Sequence, residues 1–201
     1  NLLQGNFGVS MITGEKISAA LGKRWLHSFF LILYAIVLSI PPVLLAIRGA
    51  LKDSKIYRLS ESILFSMSVV PVFVFAVIII FFMSNWLHVS LIQERQGLQT
   101  LLYYFIPALL LSIYPSFVLY KIVRVTLKET LKKPFILTLK AYGFTERKVI
   151  FPYALRAGAV SIIGVLTNLT AYYLTSIYII EFVFSIGGIG SWAVTSAQNY
   201  D

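Results

Sequence analysis

The chain has 201 residues, of which 58% are hydrophobic and only 12% charged, with a mean hydropathy of +0.83. Soluble domains carry roughly 25% charged residues, so composition places the chain in a membrane and excludes an ordinary water-soluble core. A net charge of +9 invites a nucleic-acid reading that the distribution of the basic residues answers, and the absence of cysteine excludes a disulfide framework, a thiolate zinc site and a cysteine nucleophile.

The first 24 residues are mixed in character and punctuated by glycine, with GNFGVS at Gly5–Ser10 and TGEK at Thr13–Lys16. Ile17, Leu21 and Trp25 recur at helical spacing, which predicts an amphipathic lead-in lying at the membrane interface. From Trp25 to Ile47 no formal charge occurs over 23 residues, enough to cross a hydrocarbon layer of about 30 Å at about 1.5 Å per residue. Pro41 and Pro42 are expected to kink or end this span. A short basic loop, Arg48–Arg58, leads to a second uncharged span, Ile63–Trp86, which contains Pro71. The polar stretch 84–100 holds Glu94 and Arg95, and a third span runs from Leu101 to Tyr120, its helix carried to about residue 123, with Pro107 and Pro115 inside. A fourth span covers Ala157–Ile180, and the tail Glu181–Asp201 contains FSIGGIG with no basic residue.

Between the third and fourth spans lies PFILTLKAYGFTERKVIFPYALR, residues 134–156, both charged and apolar. Pro134 suits a first helical position, Gly143 the left-handed residue that closes a helix, and Thr145 the cap of a following helix. The segment is therefore expected to fold as helix, glycine turn, helix. A loop facing only water has no need of Phe135, Ile136, Leu137, Leu139, Val149, Ile150 and Phe151, so one of its faces should meet protein.

Orientation follows from counting Lys and Arg by loop, because short basic loops stay cytoplasmic. Residues 48–58 hold four and 121–156 hold nine, whereas 16–24 hold three, 84–100 one and 181–201 none, a division of 13 to 4. Segment 134–156 is thus placed in the cytoplasm. The same count explains the basic excess as topology, and nucleic-acid binding is not expected.

Catalytic constellations are mostly absent, and no catalytic, cofactor or metal site is expected. His27 and His88 fall near membrane ends on the outer side, where bonding to water or a head group is the simpler reading than metal ligation. No G-x-x-x-x-G-K-[ST] occurs, so ATP used by the protein would be bound by another subunit. The spans lack charged side chains, which argues against a proton-coupled secondary transporter. In the fourth span Gly164, Asn168, Ala171 or Tyr172, and Thr175 share a helical face that suits either close helix packing or the lining of a substrate pathway. Glu181 is expected to be a solvated boundary residue.

These features together resemble the permease subunit of bacterial ABC importers for dipeptides and oligopeptides. The resemblance rests on GNFGVS at Gly5–Ser10, on Ser68, Pro71 and Phe73, on Ile106–Leu109, and on Arg124, Thr126 and Glu129. It rests further on Gly143 followed by Tyr153–Arg156, and on Glu181, Val183, Phe184, Ser185, Gly188, Ile189 and Gly190. Two departures stand out: Leu137, Thr138 and Leu139 replace the E-A-A triplet of the family's cytoplasmic loop, and Gly187 replaces a proline in the outer hairpin.

The resemblance implies an all-α, polytopic type I ABC importer permease fold, one transmembrane domain over residues 1–201 that is an internal portion of a six-span subunit. It implies an ATPase-coupling loop at 134–156, with Leu139, Ala141, Gly143, Thr145, Glu146 and Arg147 on or beside the contact, an outer hairpin at 181–201, and Gly164, Asn168, Tyr172 and Thr175 along the pathway. The implied partners are cytoplasmic ABC ATPases that bind ATP and magnesium, a second, non-identical permease, an external substrate-binding protein and the lipid bilayer of the bacterial inner membrane. The alternatives are a permease for nickel or another small solute, and a membrane scaffold that recruits a cytoplasmic protein and moves nothing.

Overall fold

The computed structural model describes residues 7–52, 54–86, 88 and 98–200. Gly5 and Asn6 of the first motif, and Glu94 and Arg95, lie outside the described residues. In chain order the helices are α1 (Ile17–Leu51), α2 (Lys55–Val69), α3 (Val72–Trp86), α4 (Leu98–Thr130), α5 (Pro134–Ala141), α6 (Glu146–Val149), a π-helical turn (Ile150–Ala154), α7 (Leu155–Val183) and α8 (Ile189–Gln198). Among the described residues the only β pairing is an isolated bridge between Val9 and Lys16, ahead of α1.

Among the described residues three helical stretches, Ile17–Leu51, Tyr103–Thr130 and Ile150–Val183, are long and apolar enough to cross a membrane, and α2 with α3, bent by 90° at their break, makes a fourth if the pair counts as one broken span. The expected lead-in around Ile17 is not a separate element. It is the first part of α1, which runs through to Leu51 without interruption.

Prolines do not act alike. Pro41 and Pro42 lie inside α1, and Pro107 and Pro115 inside α4, and no helix break falls at them. Only Pro71 marks one: Val70, just before it, is extended at φ −77°, ψ 127°, as steric conflict with the following ring demands. A proline removes one ladder bond and crowds the carbonyl four residues back, and in an apolar helix the neighbouring structure can absorb that loss.

The chain groups into two compact units, to each of which α1, α4 and α7 contribute a portion. One comprises Asn1–Ala35, Pro71–Leu111 and Tyr173–Asp201; the other Ile36–Val70 and Ser112–Tyr172. The second unit is centred on Ala46, Tyr120, Val123, Leu127, Ile136, Val149 and Ala154, all buried, with Leu139 and Leu155 packed at the margin. Several polar groups inside it are partnered. Arg124 bonds and pairs with Glu61 of α2, the Tyr120 hydroxyl donates to the Tyr57 carbonyl at 2.7 Å, and Ser116 donates to Ser39 at 3.4 Å. The sequence pattern marked Arg124, Thr126 and Glu129 as a motif without its partners. In the fold Arg124 and Thr126 are buried, and Glu129 is exposed.

Thr126 explains one glycine. A Cβ added at Gly158 of α7 would lie 2.4 Å from the Thr126 methyl, so α4 and α7 approach closely because no side chain stands there. Gly158→Ala is expected to destabilise the protein by about 1–3 kcal/mol through overpacking. Thr126→Ser in the same chain, which removes that methyl, should recover most of the loss, as read by thermal unfolding in detergent.

Candidate functional site

Two regions bring the singled-out residues together, one in each unit. The first is segment 134–156. Pro134 occupies the first helical position of α5, after Lys133, and Thr138 returns its hydroxyl to the Pro134 carbonyl at 3.1 Å. The helix closes through two bonds: Gly143 N–H donates to the Lys140 carbonyl at 3.0 Å and Phe144 N–H to the Leu139 carbonyl at 3.2 Å. This pair is the Schellman closure, and it requires the left-handed backbone that Gly143 adopts at φ +84°. Nothing lies within 4 Å of a Cβ built at Gly143, so the requirement for glycine is conformational and not spatial.

Thr145 stands at the N-cap position of α6 with extended backbone, but its side chain makes no capping bond, so the expected hydroxyl cap is corrected. Its carbonyl accepts the Val149 N–H at 3.2 Å, and the turn is braced by Lys140 and Glu146, paired at 3.0 Å. Arg147 belongs to α6, and its side chain lies outside the described set.

The second helix of the segment does not stop before the fourth span. It passes through the π-helical turn Ile150–Ala154 into α7, with the Leu155 N–H reaching the Ile150 carbonyl five residues back. Pro152 sits in this turn, and the wider register accommodates a residue that can neither donate to nor pack against the carbonyl four back. The glycine turn is thus joined to α7 by an uninterrupted run of helix.

Burial divides the segment into two faces. Ile136, Val149, Ile150 and Ala154 are buried and Leu139 is half-buried against the same core. Phe135, Leu137, Tyr142, Phe144 and Phe151 are exposed, with Tyr142 at 79% and Phe151 at 64%, and Ala141 lies on the exposed side. Phe144 meets Tyr153 edge-on at 6.4 Å between centroids, which ties the turn to the π segment.

The second region is the hairpin at 181–200, expected on the outer side. Here Glu181 is not a solvated boundary residue: it is fully buried. Its carboxylate accepts the Ser28 hydroxyl at 2.5 Å and the Ser191 N–H at 2.9 Å, while the same Ser28 oxygen accepts the Ile189 N–H at 2.9 Å. Glu181 and Ser28 therefore satisfy the free N–H groups at the start of α8, where a negative charge is also favoured by the helix dipole. Gly188 and Gly190 make room for the carboxylate. A Cβ at Gly188 would lie 2.1 Å from a Glu181 carboxylate oxygen, and one at Gly190 2.8 Å from the Tyr178 backbone.

α7 ends with the same closure as α5. Ser185 N–H donates to Phe182 at 3.2 Å and Ile186 N–H to Glu181 at 2.8 Å, with Ser185 left-handed at φ +53° in the place glycine holds in the loop. Tyr103 supports the turn by donating to the Ser185 carbonyl at 3.2 Å. A cavity of about 230 Å³ opens beside α8, with Glu15, Arg24, Trp192 and Asn199 among its walls, and the Arg24 guanidinium stands 5.3 Å from the centre of the Trp192 ring.

On α7, Leu169, Tyr173, Ser176 and Ile180 form the buried face. Gly164, Asn168 and Thr175 lie on the exposed side, and Tyr172 is half-buried with its ring 4.7 Å from that of Tyr114. Thr167 and Thr170, part of the same polar series, donate to the Ile163 and Leu166 carbonyls of their own helix. His27 bonds to the Tyr104 hydroxyl and stacks on its ring at 6.1 Å, while His88 is exposed.

Sequence reasoning missed the Ser28–Glu181–Gly188 arrangement. The available signal was an acidic residue ending an apolar run, with paired glycines opening a helix seven residues later. Gly188→Ala and Glu181→Ala are each expected to speed amide exchange across α8 by about tenfold, from the loss of about 1–3 kcal/mol of bonding. The double variant should add little to either, since both act on one contact, and fully additive effects would contradict the contact.

With this geometry in hand, comparison with known proteins is informative. Residues 47–201 match the family described as binding-protein-dependent transport system inner membrane component. The chain is 30% identical to a probable peptide ABC transporter permease of Sinorhizobium fredii and 30% identical to a dipeptide transport system permease of Lactococcus lactis, in each case over 100% of this chain and 66% of the relative. It is 24% identical to a metal-staphylopine import system permease of Staphylococcus aureus, over 99% of this chain and 63% of that protein. The chain thus spans just under two thirds of the length of the curated relatives it matches.

Proposed function

The chain belongs to the family of binding-protein-dependent transport system inner membrane components, and from that membership we propose that it is a permease subunit of an ATP-driven importer of peptides of the dipeptide and oligopeptide class. It is a multi-pass protein of the bacterial inner membrane with the all-α fold of type I permeases. The subunit forms part of the substrate path and is not itself an enzyme. ATP is bound and hydrolysed by cytoplasmic ATPases, substrate is delivered by an external binding protein, and a second, non-identical permease completes the path. Peptides are the substrate class because relatives covering the whole chain at 30% identity carry peptide and dipeptide names.

The observation that carries the reading is the two-faced segment 134–156. Its inner face is set in the core by Ile136, Val149 and Ile150. Its outer face presents aromatic and aliphatic side chains to what the charge count makes the cytoplasm, as a docking surface for an ATPase would. Because the turn runs without a break through the π segment into α7, displacement of the docked loop is transmitted to the helix bearing Gly164, Asn168, Tyr172 and Thr175. Closure of the ATPase pair then favours one arrangement of the spans by binding the loop better in that arrangement. The E-A-A triplet is absent, so contact rests on Ala141 and the exposed aromatics, with Leu139 supporting them from the core side and Glu146 and Arg147 at the edge.

The test is reconstitution of the full-length protein in proteoliposomes with its ATPases, partner permease and binding protein. Wild type should accumulate peptide only with ATP, whereas a scaffold would accumulate none. Gly143→Val forces a β-branched residue to φ +84°, a cost of roughly 1–2 kcal/mol, and should reduce peptide taken up per ATP hydrolysed by about tenfold. Full uptake by that variant would contradict the docking role.

A further inference from the structure

A second cavity, of about 420 Å³, lies in the unit made of residues 36–70 and 112–172 and is lined by Arg58, Glu61, Ser62, Phe65, Phe117 and Lys121. Its walls divide by chemistry. Glu61 is occupied by Arg124, so this carboxylate is already neutralised within the fold. Ser62 donates its hydroxyl to the Arg58 carbonyl at 3.1 Å. Two cations remain, Arg58 and Lys121, both exposed and neither with a carboxylate partner among the described residues; the Lys121 ammonium instead stands 5.7 Å from the centre of the Phe117 ring. Phe65 and Phe117 meet at 5.4 Å and form the apolar part of the wall.

The order of these residues along their helices matters. Arg58 belongs to the basic loop region that charge counting places on the cytoplasmic side, and Phe65 lies seven residues further along α2, about 10 Å deeper into the apolar run. α4 runs the other way: Phe117 comes first, and Lys121 follows one turn later, at the cytoplasmic end of the apolar run. In each helix the cation therefore stands beside the basic loop and the phenylalanine inside the uncharged run. A soluble anion would use only the cationic half, and a zwitterionic lipid would bring its own cation to Arg58 and Lys121.

We propose that this cavity holds an anionic phospholipid of the cytoplasmic leaflet, its phosphate between Arg58 and Lys121 and an acyl chain along Phe65 and Phe117. Basic pockets between membrane helices on the cytoplasmic side suit such head groups, each cation strengthening binding about fivefold. The proposal needs only the membrane location of the chain and is independent of the transport reading.

The test is native mass spectrometry of the full-length protein, purified in mild detergent, stripped of lipid and titrated separately with phosphatidylglycerol, phosphatidylcholine and inorganic phosphate. Phosphatidylglycerol should bind, while phosphatidylcholine and inorganic phosphate at the same concentration should not. The double variant Arg58→Gln, Lys121→Gln should weaken phosphatidylglycerol binding about twenty- to thirtyfold. The charge-preserving double variant Arg58→Lys, Lys121→Arg should retain most of it. Equal binding of phosphatidylcholine, an undiminished double variant, or displacement of the lipid by inorganic phosphate would each overturn the proposal.

Discussion

In a hydrocarbon layer there is no water to bond a free N–H or C=O, so wherever the chain leaves the regular helical ladder a substitute must come from within the protein. The same demand falls, less strictly, on helix ends outside that layer, and together they account for most of what is irregular here. Pro152 is taken up by a π turn, the ends of α5 and α7 are closed by left-handed residues, and the start of α8 is satisfied by Glu181 and Ser28. The hydroxyls of Thr167 and Thr170 bond to the helix that carries them. What a reader of the sequence takes for functional polarity is in part the cost of keeping the backbone bonded.

The two helix closures are chemically parallel and functionally different. In segment 134–156 the left-handed residue is Gly143, with open space around it among the described residues, and the turn is exposed with its apolar side chains uncovered. In the hairpin at 181–200 the left-handed residue is Ser185, and the turn is held by Tyr103 and by the buried Glu181. The first arrangement leaves a surface for another protein, whereas the second spends its polar groups on holding the hairpin to its own unit. Continuity from the glycine turn into α7 is what would let the loop act as a lever under the proposed docking.

Much of this was legible in the residues. The apolar runs were clear because the thickness of the hydrocarbon layer dictates their length, and the helix, glycine turn, helix pattern was clear because Pro134 and Gly143 have few other uses at that spacing. The effect of each proline was not legible. Pro71 breaks a helix while Pro41, Pro42, Pro107 and Pro115 do not, and nothing in the proline itself separates the two outcomes. Glu181 was misread because its partners Ser28 and Ser191 become visible only when α1 and α8 are placed beside it. The face bearing Gly164, Asn168 and Thr175 was identified by period, and its exposure within the chain sets it apart from the buried packing face of α7.

The central claim is that segment 134–156 is a cytoplasmic docking element for an ATPase. The chain has no cysteine, so single cysteines at Leu139 and Ala141 can be introduced without interference from its own residues. Cross-linking from these positions in the assembled complex should capture the ATPase, and a thiol reagent confined to the outside of the cell should leave them unlabelled. Labelling from outside, or failure of both positions to reach the ATPase in a complex that still transports, would contradict the account.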